Sequence, residues 1–125
     1  MTVQEIEQKA HYLYYCKVNY YDGIRPLDYN KKNENGYKIL VEIAKTYFNE
    51  GKTDSFAEYM MEGQYFIQLW TAHLILDFCK PNQRTKDICL SEIRKYSNST
   101  LDPAVAEQEK EWLKNYEKNS CQQRA

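Results

Sequence analysis

Proline and glycine are scarce in this chain, with three and four residues among 125. That excludes collagen-like repeats and Pro/Gly-rich disorder. Long apolar runs are missing as well. Uninterrupted apolar segments such as Leu74-Ile75-Leu76 are far short of the roughly 20 residues that cross a bilayer. Residues Met1 to Ala10 mix Gln, Glu and Lys with isolated apolar positions, so no basic stretch leads into an apolar core as in a secretory signal. No membrane association is expected, and the cytoplasm is the expected location.

Charge of one sign is equally absent. Seventeen basic and eighteen acidic residues leave a net charge of -1, without the basic excess that phosphate backbones attract, so nucleic acid is not an expected partner. Only two histidines occur, and the isolated glycines form no phosphate-cradling loop. Cys16, Cys79, Cys89 and Cys121 fall at spacings that match neither a metal knuckle nor a redox pair, and in a chain without an export signal they read as reduced thiols that mostly fill core positions. No cofactor and no metal are expected.

What the chain has is aromatic surface, twelve tyrosines and two tryptophans, set in segments of helical period. Thr2 followed by Glu5 is a capping box, and Ile6, Ala10, Leu13 and Tyr20 follow at helical spacing, predicting one helix that runs to about Tyr21 and stops at Asp22-Gly23. Tyr37, Leu40, Val41, Ala44, Tyr47 and Phe48 predict a second over residues 33–49. Ser55 with Glu58 marks a short third, ending at Gly63. From Gln64 to Phe78 apolar residues surround most of the helix, which marks it as buried, with Pro81 beyond its end. A fifth helix over residues 85–96 turns Ile88, Cys89, Ile93 and Tyr96 inward. Asp102-Pro103 opens a half-exposed sixth, by an N-cap followed by proline at the first helical position.

The expected fold is therefore all-α, about six helices stacked as antiparallel pairs in a single domain. An N-terminal tyrosine-rich helix and linker occupy residues 1–29, the stack residues 30–118, and a polar, fraying tail residues 119–125.

The run Phe66-Ile67-Gln68-Leu69-Trp70-Thr71-Ala72-His73-Leu74-Ile75-Leu76 carries a resemblance, together with Ile88-Cys89-Leu90-Ser91-Glu92-Ile93 and Pro103-Ala104-Val105-Ala106 leading to Trp112-Leu113. It resembles HEAT-type helical repeats, and more narrowly a short bacterial HEAT-like family of unknown function. Thr71 stands where alanine is usual, and Gln68 where a basic residue is usual. The likeness implies stacked helix pairs in an α-α superhelix and a protein partner, since members of that broad group often occur among immunity proteins that neutralise toxins.

Five tyrosines on the first helix, Tyr12, Tyr14, Tyr15, Tyr20 and Tyr21, cover more than one side of it, so some must face outward. Tyrosine combines stiff contact area with a polar handle and is enriched at interfaces. The expected function is non-catalytic protein binding, as of an immunity protein masking a toxin, with Tyr12, Tyr15, Glu58, Tyr59 and Glu62 as the contact residues. A homo-oligomer covering its own tyrosines stays open. The alternative is a small ligand-binding protein or enzyme with a pocket near His73 and Asp77, four residues apart on one helix face and able to share a hydrogen bond.

Overall fold

A computed structural model describes the backbone of residues 1–124 and the side chains through Asn119; the side chains of the polar tail from Ser120, with the Cys121 thiol, lie outside the described residues. The fold is all-α, with no strand among the described residues. Its helices are α1 (Val3–Gln8), α2 (His11–Asp22), α3 (Asn35–Asn49), α4 (Thr53–Ala57), α5 (Ile67–Phe78), α6 (Gln83–Ser97) and α7 (Pro103–Arg124). Single 3-10 turns occupy Tyr29–Lys31 and Glu58–Met61.

Local chemistry accounts for most of the ends. The Thr2 hydroxyl accepts the Glu5 N–H at 3.2 Å, Asn82 accepts that of Thr85 at 2.8 Å, and Asp102 that of Val105 at 3.2 Å. Each satisfies one N–H that an α-helix leaves without an internal partner. Gly23 closes α2 at a φ of 74°, a left-handed conformation that costs glycine little.

Three boundaries differ from the sequence expectation. The N-terminal helix is two helices, because Ala10 takes φ 50° and turns the chain between Gln8 and His11. The break lets α1 bury Val3 and Ile6 while the Glu50 carboxylate accepts the Val3 N–H at 2.9 Å. The third helix begins at Thr53, without the Ser55 cap, and ends in a 3-10 turn. The central helix starts three residues later than Gln64, behind a turn in which Tyr65 and Phe66 are both left-handed.

Around α5 the core closes. Ile67, Leu69, Ala72, Leu74 and Ile75 are buried, as is Trp70, whose ring meets Tyr37 edge-on at 5.1 Å between centroids. Burying each aliphatic side chain of this size contributes about 1.5–3 kcal/mol. Helices α2, α3, α4 and α6 all pack on α5, and α7 packs on α6. Two polar residues of α5 also face protein: Thr71 bonds Tyr12 at 2.9 Å, and Gln68 spans from the Met60 carbonyl at 2.9 Å to the Tyr96 hydroxyl at 3.1 Å. The two positions that depart from the HEAT-like pattern thus tie α5 to its neighbours. Ile88, expected inward on α6, is partly exposed, while Cys89 and Ile93 are buried.

Helix α3 approaches α2 where Gly36 meets Asn19. The Asn19 amide donates to the Gly36 carbonyl at 3.2 Å, and a β-carbon on residue 36 would lie 2.0 Å from Asn19 Oδ1. Glycine in the first turn of α3, unfavourable on propensity alone, is required by this close approach.

Candidate functional site

At the end of the molecule where α2 stops and α7 starts, a cleft of about 560 Å³ opens among aromatic side chains. Tyr20 and Tyr21 come from the last turn of α2, Tyr65 and Phe66 from the turn before α5, and Tyr96 from the end of α6. Leu101 and the N-cap Asp102 close the rim.

The backbone of this cleft is strained. Tyr65 and Phe66 have φ values of 53° and 58° in succession, a region that costs an L-residue about 1–2 kcal/mol. Such conformations persist where surrounding contacts over-determine them, and they concentrate at binding sites. Here the Phe66 ring is held by Tyr20 at 5.6 Å, Tyr96 at 5.8 Å and the Arg25 guanidinium at 4.8 Å. Arg25 also lies over Tyr20, 5.1 Å from its centroid, and donates to the Tyr20 carbonyl at 3.1 Å.

Ring geometry limits what the cleft can take. The centroids of Tyr20, Tyr21 and Tyr65 are 5.4, 5.5 and 6.1 Å apart, which is ring-to-ring contact. The three rings form a continuous wall and leave no ring-lined space between them for a cation. The wall is accessible all the same: Tyr21 is 70% exposed and Leu101 95%. Stiff aromatic surface beside a protruding aliphatic side chain is what a protein contact surface presents.

The residues expected to form a contact surface lie outside this cleft, and one of them is buried. Tyr12 is a correction: it is wholly buried, its ring 4.9 Å from Phe56 and 4.5 Å from Tyr59, and burial pushes its phenol well above the ordinary value. It cannot reach a partner because its face of α2 is the one that packs on the core. Tyr59 is half-buried, and its hydroxyl is engaged by Tyr47 at 2.8 Å. Tyr15 is half-buried against Tyr14 and His11; Glu58 and Glu62 are exposed. None of the five lines the cleft.

Sequence reasoning had Tyr20 and Tyr21 only as members of a cluster, and it missed Tyr65, Phe66 and Leu101. A lone leucine in the polar linker after α6 and an aromatic pair just ahead of a buried helix were the available signals.

The His73 and Asp77 alternative is also rearranged. His73 is 2% exposed, and its Nε2 meets the carboxylate of Glu109 on α7 at 2.6 Å, not Asp77. Trp112 covers the imidazole edge-on at 4.8 Å. His73 Nδ1 and Glu109 Oε2 are buried without a hydrogen-bond partner among the described residues. Asp77 lies at the surface beside a shallow hollow of about 240 Å³ bounded by Trp112 and Tyr116. Partial burial raises its carboxyl above the ordinary value, against the pull of His73 and Lys32. The histidine thus serves to fasten α7 to α5, a contact between residues 36 apart that no local spacing reveals.

Cys16, Cys79 and Cys89 are free thiols, and burial pushes that of Cys89 up to about 12. Among the described residues no cluster of three or more His, Cys, Asp or Glu is placed to hold a metal, and no helix is long and apolar enough to cross a membrane. In comparisons with known proteins, no family model, no curated protein and no solved structure matches the chain. The likeness to HEAT-type repeats therefore stands on the residues alone.

Proposed function

We propose that this chain is a non-catalytic protein-binding module, that its contact surface is the aromatic cleft, and that the protein it binds is a toxin whose action it masks sterically in the cytoplasm. The observation that carries the binding part is the pair of consecutive left-handed aromatic residues, Tyr65 and Phe66, at the base of an accessible aromatic wall. Strain of about 1–2 kcal/mol per residue at residues that position accessible rings favours a binding role for those rings. Leu101 and Tyr21 would be the anchors, since both protrude from the cleft, 95% and 70% exposed. The toxin part, with the stacking of HEAT-like repeats, rests on the resemblance of residues 66–76, 88–93 and 103–113.

The test is co-purification with the products of adjacent genes, followed by titration calorimetry of any complex. On this reading a complex forms at micromolar concentration or tighter, and Leu101→Asp combined with Tyr21→Ala weakens it by at least about 100-fold, the effect of losing two hot-spot anchors. A complex indifferent to both substitutions would remove the cleft from the proposal. If instead sedimentation shows the purified chain as a dimer that the same substitutions dissociate, the cleft serves self-association.

A further inference from the structure

Helix α3 has a second face. Its apolar stripe, Tyr37, Leu40, Ile43, Ala44 and Tyr47, is buried against the core. Lys38 and Lys45, two turns apart on the same helix, stand on the outward side with Val41 between them. Phe78, at the end of α5, lies against this side and is 40% exposed, and Lys32 flanks it from the loop before α3. Together they bound a groove of about 420 Å³ that shares no residue with the aromatic cleft.

The groove is lined by three cations, Lys32, Lys38 and Lys45, and one carboxylate, Glu42. Lys31, Lys52, Arg94, Lys95 and Lys110 each lie within 4.0 Å of a carboxylate, whereas other basic side chains such as Lys9, Lys17, Lys80 and Lys114 do not among the described residues. Among the described residues none of Lys32, Lys38 and Lys45 forms such a pair, although Glu42 lines the same groove and Asp77 lies in the field of Lys32. Two of the three ammonium groups sit over rings, Lys45 at 4.9 Å from the Phe78 centroid and Lys32 at 4.2 Å from that of Tyr29. A cation held over an aromatic face stays beside the apolar surface and keeps most of its charge available. The groove lining is net positive on a chain whose overall net charge is -1.

We infer that the groove docks an acidic peptide segment of a partner protein, with a large apolar side chain on Val41 and Phe78 and flanking carboxylates on Lys38 and Lys45. Seven residues separate the two lysines, about 10 Å along the helix axis at 1.5 Å per residue. Carboxylates seven residues apart on an amphipathic helix match that span, with the anchor one turn in from either, the arrangement in which such helices lie in grooves. Duplex nucleic acid supplies the charge but keeps its bases stacked inside the helix and offers Phe78 no apolar anchor.

The experiment uses the full chain and a fluorescein-labelled 16-residue helical peptide carrying glutamates seven residues apart with Phe and Leu between them. Fluorescence anisotropy should show saturable binding that weakens severalfold between 50 and 200 mM salt, as screening of exposed charge requires. Lys38→Glu with Lys45→Glu should weaken it at least about tenfold, and Phe78→Ala by a similar factor, with far-ultraviolet circular dichroism of each variant unchanged. Leu101→Asp, in the aromatic cleft, should leave this binding unaffected, which separates its failure from failure of the cleft reading. Absence of saturable binding would overturn the inference. Equal binding of the peptide with Phe and Leu replaced by Ser, or of a short DNA duplex, would overturn it too, by showing a site for charge alone.

Discussion

Two groups of aromatic rings, both partly carried by α2, behave in opposite ways. Tyr12, Tyr47, Phe56 and Tyr59 form an inner group in which every ring touches another and every hydroxyl has a partner inside the protein. Tyr20, Tyr21, Tyr65 and Phe66 form an outer group with similar ring spacings, but they are partly exposed, and cations of the chain lie over three of the four. The residue types are nearly the same. What differs is whether a helix covers them: α5 and the Glu58–Met61 turn close over the inner rings, and nothing among the described residues closes over the outer ones. Identical side chains therefore stabilise the fold in one place and present a surface in the other.

The buried side of the contrast is sharpest at Trp70, on α5 next to the Thr71 that bonds Tyr12. Trp70→Ala should lower unfolding free energy by about 3–5 kcal/mol, because a fully buried indole leaves a large cavity. Denaturant titration would show it, and a loss under about 1 kcal/mol would mean that α5 is not the closed centre. Next in size is Gly36→Ala, which places a methyl group 2.0 Å from the buried Asn19 Oδ1 and must displace that side chain from its bond to the Gly36 carbonyl or part α2 from α3. Overpacking of this kind costs about 1–3 kcal/mol, and a variant as stable as the parent would show that this contact yields freely.

Alkali should separate the groups without mutation. Burial raises the phenols of Tyr12 and Tyr47 above 10.0, so the native state keeps protons that the unfolded chain releases. Above that pH the unfolded state binds fewer protons than the native one, and stability falls as pH rises. The Cys16 thiol, raised by burial from 9.0, contributes in the same direction from a lower starting pH. Urea midpoints measured from pH 8 to 11.5 should decline above about pH 9–10; a flat profile would show these groups to be solvated.

Smaller effects follow from single hydroxyls and exposed rings. Tyr12→Phe removes the bond to Thr71, whose own proton still reaches the Ile67 carbonyl at 2.7 Å, so the cost should be about 1 kcal/mol by thermal melting. Tyr21→Ala, in the outer group, should change stability by no more than about 0.5 kcal/mol. A larger loss would make the outer rings part of the core and remove the contrast altogether.

Much of this architecture was legible in the residues. Thr2, Gly23, Asp102 and Pro103 act within a turn or two of their own position, so hydrogen bonding to nearby backbone is enough to place helix ends. The burial of α5 follows from its lack of a polar face, since such a helix has no side to give to water. The kinks at Ala10 and at Tyr65 and Phe66 were not legible, because left-handed backbone at non-glycine residues is imposed by distant contacts and no local preference announces it. Nor was the assignment of tyrosines to core or surface, which hydropathy alone leaves undetermined for a side chain that is half apolar.

Sequence alone thus determined that the chain is helical, where most of its helices end and which helix lies at the centre, because those depend on local hydrogen bonds and on the period of apolar residues. Only the tertiary structure decided that His73 is matched with Glu109, that Tyr12 is core and Tyr21 surface, and that unpaired lysines gather around Phe78. Each of these is a relation between residues brought together by packing, and nothing in the order of the chain encodes it nearby.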